Sequence, residues 1–307
     1  MLAIALSSGT IEYTDTDFGT DSGTHPDTVP GTGPGAADGP ARETLVLVPG
    51  LGFDASVWQP VVDDLRADFR VLVPVLPIGG HRLPMDPGAD LSADGVAGLL
   101  AEFLDRLDLR EVTLVQNDAG IAQLLVGVND KRIARLVLAS CEALDNYPPG
   151  LQGKALHTAS RIPGALHLLL RSFRSPFLAG MRTSLGGMAK RPIPHDLVLR
   201  WYGPLLTDPA IRRDLGAFLH ATRKDTYVRA AERLRSFDRP ALVLWGAEDR
   251  MMPPRTGRRL AELLPYGAYE EVPDARTLIP FDNPRGLCEA LRRFIAAHPA
   301  PVVRGSV

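Results

Sequence analysis

Asp118 is the residue whose neighbours in the sequence point most directly to chemistry. It is the centre of QNDAG, residues 116–120, which joins an apolar run to a helical pattern predicted from Ala119 onward. Ala119 and Gly120 are small, as a sharp strand-to-helix turn requires, and such a turn lifts its central side chain out of the sheet. Gln116 departs from the glycine that usually opens this turn. A carboxylate at the centre could attack a carbon atom or transfer protons, although aspartate also caps helices well.

Other acidic residues are expected at the same edge of the predicted sheet as Asp118. Glu142 and Asp145 follow the next buried run, and Asp249 follows the run at 240–246. Carboxylates that share a poorly solvated pocket repel one another, and burial disfavours ionisation, so one of them stays protonated. An acid and a base then coexist without histidine, which suits cyclisation, elimination, isomerisation or acid-assisted epoxide opening. A turn or cap role is the alternative for Glu142 and Asp145.

The elements that must position these side chains alternate along the chain. Buried apolar runs followed by helical patterns indicate βαβ units and a parallel sheet. We predict strands at 2–6, 11–15, 44–50, 69–75, 112–117, 134–140, 240–246 and 268–272. Outside the middle of the chain, we predict helices at 56–66, 92–107, 119–129, 254–264 and 284–297.

In the middle of the chain, from Tyr147 to Phe237, the strand pattern vanishes. Helical patterns broken by proline and glycine take its place, at 151–172, 176–189, 194–206, 208–223 and 225–236. The predicted fold is therefore α/β, a mostly parallel sheet flanked by helices, with a helical cap inserted after the strand at 134–140. The predicted domains are a core of 1–146 and 238–307 and a cap of 147–237. Residues 16–42 have almost no large apolar side chains and are predicted to form a flexible loop.

The bulk composition argues against several classes of function. The formal net charge is −2 and no polybasic run occurs, so neither nucleic acid nor a membrane is an expected partner. Cys141 and Cys288 lie far apart without CxxC spacing, which argues against a disulfide framework and a cysteine zinc site. No phosphate loop, dinucleotide fingerprint or metal-ligand cluster occurs, so we expect no cofactor and no metal. The chain shows no secretory or membrane-spanning run, and we expect a cytoplasmic protein.

Over about residues 44–297 the chain resembles the α/β-hydrolase superfamily. Besides QNDAG, the resemblance lies in VPGLGFDASVW at 48–58, LWGAEDRMMP at 244–253 and VPDARTLIPFDNP at 272–284. It implies that the N–H groups of Leu51 and Ala119 form an oxyanion hole and that Asp249 is the acid of a catalytic triad. It also implies that Thr277 stands where relatives carry the catalytic histidine.

Asp118 places the chain near the branch of this superfamily that uses an aspartate nucleophile, which includes haloalkane dehalogenases and epoxide hydrolases. There the carboxylate forms an ester with a substrate carbon, and a histidine-activated water cleaves that ester. Ala119 differs from the tryptophan usual after the aspartate, and PGLG at 49–52 lacks the His-Gly-x-Pro pattern of epoxide hydrolases. With Thr277 in place of histidine the ester would accumulate, because losing a general base costs about 10²–10⁴-fold in rate.

Three hypotheses about function follow. In the first, Asp118 performs acid–base chemistry on a small apolar metabolite without net hydrolysis. In the second, the chain is an aspartate-nucleophile hydrolase whose base is a substitute histidine. His81, after the strand at 69–75, is the best candidate because it follows a strand at the same sheet edge as Asp118. In the third, the protein binds a ligand in the pocket of the fold but is catalytically dead.

The predicted cap indicates an apolar small molecule as partner. In relatives it lies over the active site, and Tyr147, Trp201 and Tyr202 could hydrogen-bond an oxygen of the ligand. Many of its other side chains are apolar and could line a pocket. These are Leu166, Leu168, Leu169, Leu170, Phe173, Phe177, Met181 and Met188.

Overall fold

A computed structural model describes residues 1–18 and 42–299, and its centre is an eight-stranded sheet. The strands are β1 (Leu2–Leu6), β2 (Gly9–Asp15), β3 (Thr44–Val48), β4 (Arg70–Pro74), β5 (Val112–Asp118), β6 (Ile133–Cys141), β7 (Ala241–Gly246) and β8 (Gly267–Val272). They lie in the order β1-β2-β4-β3-β5-β6-β7-β8. β1 and β2 form an antiparallel hairpin at one edge, and β3 to β8 pair in parallel. The predicted strands and the mostly parallel sheet are confirmed.

Twelve helices accompany the sheet within the described residues. They are α1 (Gln59–Leu65), α2 (Ala93–Arg106), α3 (Ile121–Leu125), α4 (Gly150–Ala159), α5 (Ala165–Ser172), α6 (Pro176–Gly180), α7 (His195–Thr207), α8 (Pro209–Ala221), α9 (Lys224–Arg233), α10 (Pro254–Ala261), α11 (Ile279–Asp282) and α12 (Pro284–Ala297). Short 3-10 turns occupy Ala55–Trp58, Leu185–Gly187 and Leu234–Ser236. None of the helices within residues 1–18 and 42–299 combines the length and apolar character needed to cross a membrane.

Helices α4 to α9 form a helical insertion, residues 150–236, that separates β6 from β7 in the sequence. The predicted helix at 151–172 is wrong, because the chain breaks into α4 and α5 at Gly164. That residue has φ of 79°, a left-handed conformation that glycine adopts without steric cost. The predicted helix at 176–189 is also wrong. It stops at α6 because Met181 turns to extended backbone, and only a 3-10 turn follows.

The buried centre of the sheet explains why the carboxylates of the site meet. Every residue of β5 and β6 is buried, as expected for parallel strands covered on both faces. The carboxyl ends of parallel strands share one edge, and Asp118 at the end of β5 pairs in register with Cys141 at the end of β6. Glu142 follows Cys141 directly, so its side chain starts from the strand end beside Asp118.

One prediction falls largely outside the described residues. Of the loop predicted at 16–42, residues 19–41 lie outside the part of the chain that the structure describes. The helix predicted at 119–129 is described and is shorter than expected. It begins at Ile121 and ends at Leu125, because Val126 is extended and Gly127 has φ of 71°.

Candidate active site

Asp118 occupies the bend between β5 and α3. Its φ is 69°, in the left-handed region that non-glycine residues seldom adopt, so the backbone there is strained. Such strain persists only where the surrounding structure enforces it, and it is common at functional sites. The side chain is 4% exposed and lines a cavity with an empty volume of about 640 Å³, hereafter the Asp118 cavity.

The loop that follows β3 contacts the Asp118 carboxylate directly. The backbone N–H of Leu51, which was predicted to lie at the site, donates a hydrogen bond of 2.9 Å to Oδ2 of Asp118. A Cβ added at Gly50 would lie 2.4 Å from that same oxygen, so the approach is possible only for glycine. Ala119 is fully buried at the bend, but it does not line the cavity.

Two polar side chains of β5 brace the bend, and the sequence patterns did not single them out for this role. Gln116 accepts a hydrogen bond of 3.1 Å from the N–H of Ala122 in α3, which accounts for its departure from the usual glycine. Asn117 donates to the carbonyls of Ala139 at 2.9 Å and Thr277 at 2.8 Å. A signal was present in the sequence: two amides interrupt an otherwise apolar strand that is buried on both faces.

Glu142 is a second carboxyl in the Asp118 cavity. Its Oε2 accepts a hydrogen bond of 2.7 Å from the hydroxyl of Tyr227 in α9, a residue that the sequence analysis missed. Burial and, to a smaller extent, the negative charge of Asp118 raise the pKa of Glu142 to about 8. The bonds from Tyr227 and from the N–H of Gly120 act in the opposite direction. A protonated Glu142 can therefore exist at neutral pH.

Asp249 lies behind the cavity on the loop after β7. Its Oδ1 accepts the hydroxyl of Thr277 at 3.0 Å and the N–H groups of Met251 and Met252 at 3.0 and 2.9 Å. Burial raises the pKa of Asp249 to about 6, while these bonds lower it. The structure thus brings Thr277 to Asp249, but neither residue is among those lining the Asp118 cavity.

The protonation of Asp118 is governed by its burial. Removal from water and, to a smaller extent, the charge of Asp249 raise the pKa of Asp118 to about 7. The Leu51 N–H favours the charged form and opposes the shift. With Glu142 at about 8, the pair can hold one carboxylate and one carboxylic acid near neutral pH, so the cavity contains a base and an acid.

The structure does not bring His81 to the Asp118 cavity. Its Nε2 lies 3.3 Å from Oδ2 of Asp214 in α8, and its Nδ1 accepts the N–H of Gly79 at 3.3 Å. Both ring nitrogens are therefore engaged away from the cavity, because the loop after β4 contacts the helical insertion. No histidine within residues 1–18 and 42–299 lines the Asp118 cavity.

The three aromatic residues predicted to contact a ligand have different surroundings. Tyr202 lines the Asp118 cavity and packs against Gly52, where an added Cβ would lie 2.9 Å from its hydroxyl oxygen. Trp201 is buried and donates to Ser56 Oγ at 2.9 Å. Tyr147 packs its ring 5.1 Å from that of Tyr227. Neither Trp201 nor Tyr147 lines the cavity.

The remaining wall of the Asp118 cavity is largely apolar and comes mainly from the helical insertion. Among the predicted pocket residues, Leu169, Phe173 and Met188 line it, whereas Leu168 and Phe177 are exposed to solvent. Other lining residues are Pro149, Gln152, Gly153, Ala155, Leu156, Thr183, Ser184, Leu185 and Met251. Asp145 is exposed and pairs with Arg259 at 3.0 Å, so it takes no part in the cavity.

The described residues contain no cluster of side chains suited to a metal ion. Within 1–18 and 42–299 no group of three or more His, Cys, Asp or Glu side chains is placed to hold a metal ion.

Comparison with known proteins agrees with this architecture. The chain is 24% identical over 260 residues to an uncharacterized hydrolase, YugF, of Bacillus subtilis (strain 168), covering 83% of this chain and 91% of that protein. It is 26% identical over 242 residues to a 2-hydroxy-6-oxononadienedioate/2-hydroxy-6-oxononatrienedioate hydrolase of Cupriavidus pinatubonensis, covering 74% and 78%. A thermophilic esterase from Thermogutta terrifontis shares the fold with a TM-score of 0.70 at 20% identity, covering 97% of this chain and 99% of that one.

The family assignment rests on the extent of one further match. The model of the Alpha/beta hydrolase family matches residues 45–290, which span the sheet from β3 onward, the helical insertion and the first half of α12. This chain therefore belongs to the alpha/beta hydrolase family.

Proposed function

We propose that the protein is an enzyme that uses Asp118 and Glu142 as a base and an acid on a small, mostly apolar metabolite, without net hydrolysis. The observation that carries this proposal is the presence of both carboxyls in one largely apolar cavity, each with a raised pKa. Cyclisation, elimination, isomerisation and epoxide opening all need a proton removed at one atom and delivered at another. The helical insertion would act as the cap that excludes water.

The surroundings of Asp249 support a mechanism without imidazole. Thr277 donates to Asp249 where relatives would carry histidine, and a threonine hydroxyl is not a base near neutral pH. The second oxygen of Asp249, Oδ2, is buried and has no hydrogen-bond partner among the described residues. We therefore assign Asp249 an electrostatic part, since its charge raises the pKa of Asp118.

One observation favours an aspartate-nucleophile hydrolase as a second candidate. The Leu51 N–H binds only Oδ2 of Asp118, which leaves Oδ1 to attack carbon. The relatives that match most of the chain include hydrolases. In this mechanism a water must cleave the ester, and the contacts of His81 with Asp214 and Gly79 direct both of its nitrogens elsewhere.

Isotope labelling separates the two candidates. Cyclohex-3-enone, styrene oxide and 1-chlorohexane are incubated with the protein in ¹⁸O-labelled D₂O, and the products are analysed by mass spectrometry. Proton transfer by Asp118 predicts deuterium at carbon and no more ¹⁸O than exchanges into the carbonyl oxygen in a protein-free control, whereas hydrolysis predicts ¹⁸O in the diol from styrene oxide or the alcohol from 1-chlorohexane. Asp118→Asn should lower turnover about 10²–10⁴-fold, and Asp145→Asn, which removes an exposed carboxyl, should leave it unchanged. Turnover that survives Asp118→Asn contradicts both candidates.

A further inference from the structure

A second cavity adjoins the Asp118 cavity and differs from it in charge. It has an empty volume of about 650 Å³, and Gln152, Thr183 and Met251 line both cavities. Arginine side chains come to it from three separate segments of the chain: Arg182 after α6, Arg250 after β7 and Arg276 after β8. We call it the arginine cavity. Its other lining residues are Gly150, Leu151 and Gly187.

The residues that line the arginine cavity include three arginines and no acid. Within the described part of the chain none of these three arginines forms an ion pair. Two arginines of nearby α10 behave differently, since Arg258 pairs with Glu271 and Arg259 pairs with Asp145. The guanidinium groups that line the cavity therefore have no carboxylate partner within it.

Arg276 is anchored at one wall of the arginine cavity. Its Nη1 donates to the carbonyl of Ala189 at 2.9 Å, which fixes the guanidinium in place. Among residues 1–18 and 42–299 no acceptor contacts its buried Nε. The guanidinium is therefore held in place without a carboxylate partner, and an anionic oxygen is a strong acceptor for its remaining N–H groups.

We propose that the two cavities form one bipartite site for an apolar molecule that carries a carboxylate or phosphate group. Arg182, Arg250 and Arg276 hold the anionic group, because guanidinium groups bind such oxygens in pairs. The apolar part of the molecule extends past Met251 to Asp118 and Glu142. This inference rests on the proposed function, since it names the class of substrate that those two carboxyls act on. This arrangement also keeps the negative charge of the substrate away from Asp118 and Glu142.

The affinities of three probes with eight-carbon chains, measured by calorimetry, test the proposal. Octanoate and octyl phosphate carry the two candidate anions, and octanamide has the same chain without charge. We expect at least one anion to bind about tenfold or more tightly than octanamide at low salt, and its affinity to fall as salt rises. The affinities of octanoate and octyl phosphate, compared with each other, show whether a carboxylate or a phosphate is preferred.

Matched arginine variants locate the binding. Arg182→Gln and Arg250→Gln change exposed side chains that form no ion pair within the described part of the chain, and each should weaken binding of the preferred anion about tenfold. Arg255→Gln removes an equal charge from an exposed position of α10 outside both cavities and should have no effect. Octanamide binding should be the same in all of them. Binding of the anions no tighter than octanamide, or equal affinity in all three variants, overturns the proposal.

Failure of this inference is distinguishable from failure of the proposed function. Asp118→Asn should lower turnover about 10²–10⁴-fold but keep the preference for the anionic probe over octanamide. Anion binding that depends on Arg182 and Arg250, with no turnover of any compound, leaves the bipartite site standing and contradicts only the enzyme proposal. Turnover that depends on Asp118, with no preference for anions, contradicts only the bipartite site.

Discussion

The hydroxyl of Tyr227 donates a 2.7 Å hydrogen bond to the carboxyl of Glu142, and this bond connects the helical insertion to the sheet edge. Tyr227 lies on α9, whereas Glu142 follows β6. Both side chains are buried, and the bond fixes the position of the acid that we pair with Asp118. Tyr227 is thus a positioning residue that acts through Glu142.

Tyr227→Phe should change the pH dependence of turnover. The tyrosine bond lowers the pKa of Glu142, so its loss should raise that pKa and move the alkaline limb of the rate profile to higher pH. The rate at pH 7 should fall about tenfold, as expected for a lost hydrogen bond to a charged or reacting group. Tyr266→Phe is the control, because Tyr266 is exposed and does not line the cavity. An unmoved alkaline limb in the Tyr227 variant would show that the tyrosine is only structural.

Asp118→Asn should stabilise the fold in a pH-dependent way. The pKa of Asp118 is about 7 in the folded protein against 3.8 for the free side chain, so the folded state holds the proton more tightly. The stability linked to this group is full below about pH 4 and is lost as pH rises through 7. The variant should therefore match the native protein near pH 4 and exceed its unfolding free energy by roughly 2–4 kcal/mol at pH 8. Urea unfolding at several pH values measures this, and Asp86→Asn, at an exposed loop position, should show no such trend.

His81→Ala should lower stability without lowering turnover. The substitution removes the imidazole that bonds Asp214 and leaves a buried carboxylate with fewer partners, which costs about 1–3 kcal/mol. His220→Ala, at an exposed position of α8, should change neither quantity. A hydrolase that depends on His81 would instead lose turnover, and its mass spectrum would show an ester trapped on Asp118.

Thr277→Val should destabilise the protein by about 1 kcal/mol, because it removes a buried hydrogen bond at nearly constant shape. Asp249 would keep its bonds from the N–H groups of Met251 and Met252. The exposed Thr158→Val in α4 provides the matched control in urea unfolding. Equal stability of the two variants would mean that the bond between Thr277 and Asp249 contributes nothing.

The sheet and the convergence of its acidic residues were predictable for a physical reason. Strands buried on both faces are continuous apolar runs, and their carboxyl ends must share one edge. That rule alone places Asp118, Glu142 and Asp249 together. The same rule failed for Asp145, which is only three residues beyond Glu142 but points to solvent and pairs with Arg259.

Features that depend on contacts between distant segments were not predictable. His81 follows a strand that ends at the correct edge, but Asp214, far along the chain, binds it. Tyr227 looks like an ordinary helical residue until α9 meets the end of β6. A single sequence contains no signal for these two pairings. The break between α4 and α5 is different, because Pro163 and Gly164 signal it in the sequence although the prediction ran one helix through them.

The contact between Gly50 and Asp118 ties two distant positions of the gene to each other. A Cβ at position 50 would lie 2.4 Å from both the Cβ and the Oδ2 of Asp118, so no side chain fits there while residue 118 carries a Cβ in its present place. Natural variants that enlarge residue 50 should therefore carry glycine at position 118, since any shorter side chain would keep the overlapping Cβ. An alignment of closely related sequences should then show residues 50 and 118 changing together, with glycine at position 50 wherever residue 118 is aspartate.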